Sequence, residues 1–131
     1  MRKRSNPTLF DWAIIRVRLS GKPEVSAFLF TGIGFGHPRL DDFVLFATTE
    51  VQEIGEDGTW GRTRSRIYNL EQPLKKHEFT AELTEEVKEI FQQERGTAVE
   101  VEWISIEEWR KMADSGGNPS PNGPANSVCR L

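Results

Sequence analysis

The sequence predicts an α+β fold: an antiparallel sheet or small β-barrel over residues 12–70, a helix–strand–helix extension, and a disordered C-terminal tail. Three observations carry this. Residues 12–70 run largely in period two, with Gly, Pro and Asp clusters between the runs. From Leu83 onward the apolar spacing becomes helical. Past residue 113, periodicity ends in Gly, Pro, Ser and Asn. Residues 1–113 therefore read as a single α+β domain and 114–131 as the tail.

"WAIIRVRL" places Ala13, Ile15, Val17 and Leu19 on one face and Ile14, Arg16 and Arg18 on the other, a half-buried strand. "SGKPEVS" is a turn. "AFLFTGIGF" is apolar on both faces, which suits a central strand, and Gly32, Gly34 and Gly36 fall on one of them. "HPRLDD" is a loop. "FVLFATTEVQEI" is β-rich, and Asp57-Gly58 signals a tight hairpin that sets Glu53 opposite Arg62 and Val51 opposite Arg64. The returning strand, "WGRTRSRIYNL", puts Arg62, Arg64 and Arg66 on one face with Tyr68, and the hairpin tip in solvent.

Leu83, Val87, Ile90 and Phe91 form a helical stripe, with Thr84 as the expected N-cap and Gly96 at the C′ position. "TAVEVEW" alternates as a half-exposed strand. "SIEE" is a capping box, Ser105 with Glu108, opening a short helix that presents Ile106, Trp109 and Met112.

Leu83, Val87, Ile90, Phe91, Trp103 and Trp109 are expected to hold the extension on the sheet. The one cysteine, Cys129, allows neither an intrachain disulfide nor a cysteine metal cluster. "WAIIRVRL" is interrupted by arginines, so the N-terminal region reads as neither signal peptide nor membrane span, and a cytoplasmic, membrane-free protein is expected. A net charge of −3 hides an asymmetry. Residues 1–69 hold 10 Lys/Arg and 8 Asp/Glu, whereas residues 70–131 hold 7 and 12.

Part of the chain carries a recognisable pattern. Gly36-His37-Pro38-Arg39, a β-run with Thr48-Thr49, then Thr63-Arg64-Ser65 and Tyr68-x-Leu70 follow one another within residues 31–70. This resembles small uncharacterised β-rich proteins of bacteria and their phages. Arg66 and Ile67 stand where those have a glycine after the serine. The resemblance implies a compact β-module from a mobile element, and names no activity.

The sequence offers no complete catalytic, cofactor or metal constellation. "GIGFGHP" lacks the following helix and the Lys-Ser/Thr of a phosphate loop. The leading expectation is a non-enzymatic protein that binds a protein partner. Its acidic surface, Glu82, Glu85, Glu86, Glu89, Glu100 and Glu102, would imitate phosphates and inhibit a nucleic-acid-handling machine. An alternative is a single-stranded nucleic-acid face built from Trp60, Arg62, Arg64, Arg66 and Tyr68. A second alternative is a small metal-dependent hydrolase around His37, Asp41 and Asp42.

Overall fold

The computed structural model describes residues 6–115 of the 131 in the chain. Its strands are β1 (Thr8–Leu19), β2 (Lys22–Phe35), β3 (Leu45–Ile54), β4 (Trp60–Thr63), β5 (Ile67–Leu70) and β6 (Val99–Ile104), with helices α1 (Ala81–Arg95) and α2 (Ile106–Ser115). The fold is α+β. Its six-stranded sheet runs β2-β3-β4-β5-β1-β6 and is mostly antiparallel.

β1 pairs with β2 along most of its length, and a second contact closes a ring. Thr8 and Leu9 pair in parallel with Asn69 and Leu70 of β5, so β1 to β5 form a small barrel. The far half of β1 pairs with β6 instead, Ile14 to Leu19 against Ile104 to Val99. One strand serves both neighbours because it bends. A register shift falls between Phe10 and Ala13, and Asp11 takes a positive φ of 50°. This bend hides the first third of β1 from a period-two reading, so the strand starts before residue 12.

Two apolar layers follow. Inside the barrel, Leu9, Trp12, Ile14, Phe30, Phe46, Tyr68 and Leu70 are buried, with Trp12 edge-on to Phe30 at 5.6 Å. On the outer face, Ile15, Val17, Leu29 and Val99 are covered by Val87 and Phe91 of α1. β2 is thus apolar on both faces because both are covered. Gly34 is needed there, since any Cβ would run into the Phe46 ring. Trp109 packs against the barrel core, and Trp103 donates its indole N–H to the Leu74 carbonyl at 3.1 Å.

The helix ends follow capping chemistry. The N-cap of α1 is Thr80, not Thr84: Leu83 N–H donates to Thr80 Oγ1 at 3.2 Å, while Thr84 donates back to the Thr80 carbonyl. Gly96 closes α1 in the left-handed conformation, φ 62°. Glu108 N–H donates to Ser105 Oγ at 3.0 Å at the start of α2. Asp114 and Ser115 belong to that helix, and the rest of the expected tail lies outside the described residues.

The turn expectations need three corrections. The turn after β1 is confined to Ser20 and Gly21, and "KPEVS" is already strand. The β3–β4 loop spans residues 55–59, held by Asp57 Oδ1, which accepts from Thr59 N–H at 3.1 Å and Thr59 Oγ1 at 2.8 Å. Its tip, Glu56, Asp57 and Thr59, is exposed as expected, while its base is tied down where Arg110 of α2 donates to the carbonyl of the buried Gly55 at 2.6 Å. Glu53 does face Arg62, but a bulge at Gln52 then sets Val51 opposite Thr63 rather than Arg64. Among the described residues, no helix is long and apolar enough to cross a membrane.

Candidate functional site

The largest correction concerns "GRTRSRIYNL". It is not one strand. β4 ends at Thr63, the chain reverses, and β5 returns with Trp60 opposite Asn69 and Arg62 opposite Ile67. Thr63 makes the reversal. Its buried Oγ1 accepts the N–H groups of Ser65 (3.2 Å) and Arg66 (3.3 Å), and its own N–H donates to the Arg66 carbonyl at 2.9 Å.

The arginines consequently part company. Arg62 lies on β4 and binds Glu53 Oε1 through Nη2 at 2.9 Å and Gln52 Oε1 through Nη1 at 2.8 Å. Arg64 is exposed on the turn. Arg66 comes round to the other side, near Tyr68, whose phenol lies within reach of its charge. Tyr68 itself is buried inside the barrel, and Trp60 is half-buried. The five side chains of the expected nucleic-acid face therefore form no common platform.

The acidic residues are better gathered. Glu82, Glu85, Glu86 and Glu89 are exposed on α1 at a spacing that keeps them on one face. Lys88 Nζ lies 3.5 Å from Glu85 and 3.7 Å from Glu100, joining the helix to β6. Glu102 belongs elsewhere electrostatically: it sits across from Arg16 on β1, Nη2 to Oε1 2.7 Å, with Arg18 at 4.0 Å.

A third arrangement was not visible in the sequence. Loop 37–40, the middle of β3, the 63–66 turn and the end of α1 enclose a cleft of about 220 Å3. His37, Arg39, Arg66 and Arg95 bring nitrogen donors, and Thr49 and Ser65 bring hydroxyls 3.1 Å apart. Phe46, Ala47, Leu40 and Tyr68 add apolar surface. No aspartate or glutamate lines it. His37 packs edge-on to Phe46 at 5.4 Å and stacks with Tyr68 at 6.3 Å. Its Nδ1 accepts the Arg39 N–H at 3.0 Å, which leaves Nε2 to carry the proton of the neutral ring.

Electrostatics follow from this enclosure. Burial, and then the guanidiniums of Arg66 and Arg39, hold the His37 imidazole below its ordinary value, so it is neutral at pH 7. Burial also pushes the Tyr68 phenol up to about 12, against the opposing pull of Arg66, so the phenol keeps its proton. The positive charge of the cleft therefore resides on its arginines.

His37, Asp41 and Asp42 do not assemble as metal ligands. Asp42 Oδ1 accepts the Gly36 N–H at 2.9 Å, and His37 Nδ1 is taken by Arg39. Among the described residues, no group of three or more His, Cys, Asp or Glu is placed to hold a metal ion. Comparison with known proteins returned no matching family model, curated protein or solved structure.

The cleft draws on the recurrent sequence pattern. His37, Arg39, Thr48, Thr49, Ser65 and Tyr68 all belong to that pattern and all line the cleft, although they come from three separate segments. Arg95 is an addition the sequence reading missed, and Arg66, expected on one strand face with Arg62 and Arg64, lies here instead. Arg95 has no sequence signal, because only the fold carries the end of α1 to β3. The place of Arg66 was misjudged by the assumption of an unbroken strand.

Proposed function

We propose that this protein is a binding module that holds an anionic group of its partner in the His37–Arg39–Arg66 cleft, acting by contact rather than by chemistry. One observation supports the reading above the others: the guanidiniums of Arg39 and Arg66, from two separate segments, converge on a cleft whose lining contains no carboxylate. In a protein of net charge −3, such a local excess needs an outside counter-charge. Arginine suits the task because its planar fork donates in pairs to phosphate or carboxylate oxygens.

The test is titration calorimetry with two polyanions, oligo-dT and polyglutamate, at low and high salt. At least one is expected to bind at low salt and weaken as salt rises. The Arg39→Glu/Arg66→Glu pair should abolish that binding, with the fold verified by circular dichroism. Unchanged binding by the double variant would overturn the assignment.

A second reading keeps the acidic surface. Glu82, Glu85, Glu86 and Glu89 continue onto Glu100 through Lys88, which supports a contiguous carboxylate array able to meet a basic groove on a protein partner. Such a partner could be a nucleic-acid-handling enzyme, inhibited by occupation of its phosphate track. Reversing charge at Glu86 and Glu89 should abolish retention of polylysine, a stand-in for the basic groove, and leave the cleft's anion binding intact. Equal retention by that variant would remove this reading.

A further inference from the structure

We infer that the group held in the cleft is a small phosphomonoester, either free phosphate or the 5′-phosphate of a mononucleotide. The inference rests on the anion-binding reading and narrows its ligand.

Size comes first. Drug-sized ligands occupy clefts of roughly 300–1,000 Å3. This one, at about 220 Å3, takes a smaller group. It is lined by loop 37–40, the 63–66 turn, Arg95 at the end of α1 and the middle of β3. A continuous phosphodiester backbone runs beyond a cleft of this size, whereas a terminal phosphate fits within it.

Charge decides between the remaining anions. A carboxylate carries one negative charge and is satisfied by one guanidinium. Arg39 and Arg66 around a single negative charge would still leave one positive charge over. A phosphomonoester carries about −1.5 to −2 at pH 7 and offers three terminal oxygens, each an acceptor. That is enough to be shared between Arg39 on one wall and Arg66 on the other.

The polarity of the lining agrees. Arg39 and Arg66 only donate. The neutral His37 has spent its lone pair on the Arg39 N–H and is left with an Nε2 donor. Thr48 Oγ1 is already committed, accepting from Phe30 N–H at 3.1 Å and donating to the Thr49 carbonyl at 2.7 Å. Thr49 and Ser65 hold each other at 3.1 Å, one donating to the other, which leaves one hydroxyl hydrogen for an outside acceptor. A ligand made of acceptors, such as phosphate, matches this set. A ligand rich in donors would find few partners.

The experiment is 31P NMR titration, supported by calorimetry, of the full chain with inorganic phosphate, AMP, the phosphodiester dTpdT, a phosphoserine peptide and acetate. Phosphate or AMP should saturate at one site, and the tighter of the two names the source. Acetate and dTpdT should bind at least about tenfold more weakly. Arg66→Gln and Arg39→Gln should each weaken the monoester by about tenfold or more without changing the circular dichroism spectrum. Acetate or dTpdT binding as tightly as the monoesters would overturn the inference, as would monoester binding that neither substitution affects. Tight binding of the phosphopeptide alone would overturn the small-ligand part. If oligo-dT or polyglutamate binds through Arg39 and Arg66 but no monoester does, this inference fails while the anion-binding reading stands.

Discussion

Asp42 Oδ1 accepts the backbone N–H of Gly36 at 2.9 Å, so the loop that carries His37 and Arg39 is closed by its own carboxylate. Gly36 stands at φ 80°, a conformation that favours glycine, and the Asp42 bond satisfies its N–H in that pose. Asp42→Ala should cost about 0.5–1.5 kcal/mol, measured by urea denaturation. It should also weaken anion binding, because Arg39 loses its fixed position. By charge alone the opposite would occur, since removing a carboxylate favours an anion. Asp42→Asn keeps an acceptor and should restore most of the binding. Stronger binding by Asp42→Ala would show that the loop tie is not what positions Arg39.

Thr63 has the same kind of role on the opposite wall. It is 2% exposed, and its hydroxyl serves the N–H groups of Ser65 and Arg66. Thr63→Val keeps the shape and removes the acceptor, leaving those two N–H groups without it. The expected loss is about 1–3 kcal/mol. Arg66 then drifts from Tyr68, so anion affinity should fall although no cation has been removed. A Thr63→Val protein with native stability would contradict the turn described here.

Thr63 also shows why part of the site could not be read from the sequence. The segment around it alternates as a strand should, and nothing in a period-two pattern marks a reversal at Arg64-Ser65. The deciding bonds are a side-chain hydroxyl to nearby backbone, and Thr is equally at home in strands. The Arg62–Glu53 pair was legible because it precedes the bulge at Gln52, whereas everything after the bulge shifts by one residue. The stripe of α1 was legible, with Val87 and Phe91 in the outer core, because helical period and burial agree there. Barrel closure by Thr8 and Leu9 against β5 was not, since the bend at Asp11 masks the beginning of β1. The cleft depends on all three: the reversal at Thr63, the loop tied by Asp42, and the docking of α1.

The exposed ion pair between Arg16 and Glu102 makes a useful contrast. At 2.7 Å it is a close pair, yet the Glu102 side chain is 53% exposed. Solvent screening leaves such pairs about 0–1 kcal/mol. Glu102→Gln should therefore change the urea midpoint little, and far less than Thr63→Val. A loss as large as that of Thr63→Val would mean that the β1–β6 seam depends on charge rather than on Val17, Val99 and Ile104.

His37 links the cleft to pH. Its imidazole titrates below the ordinary value of 6.5, first because burial disfavours the cation and then because Arg66 and Arg39 repel it. The unfolded chain therefore takes up this proton before the folded one does. Above 6.5 both forms are neutral at this position and His37 imposes no penalty. As pH falls from there through the folded value, the unfolded state binds more protons and stability declines, and below both values the loss is complete and flat. Urea midpoints measured between about pH 5 and pH 8 should show this decline in the wild type. His37→Gln should lack that component, while the carboxylate-driven loss at lower pH remains in both. A bound phosphate dianion reverses the sign of the local field. It offsets Arg66 and Arg39, raises the His37 value, and draws a proton onto Nδ1 in place of the Arg39 N–H it accepted. Affinity should then rise as pH is lowered from neutrality, until the ligand's own second ionisation, near pH 6, lowers its charge. Calorimetry in buffers of different ionisation enthalpy measures the proton directly. Uptake by the wild type and none by His37→Gln is the expected result, and equal uptake by both would place the proton on another group.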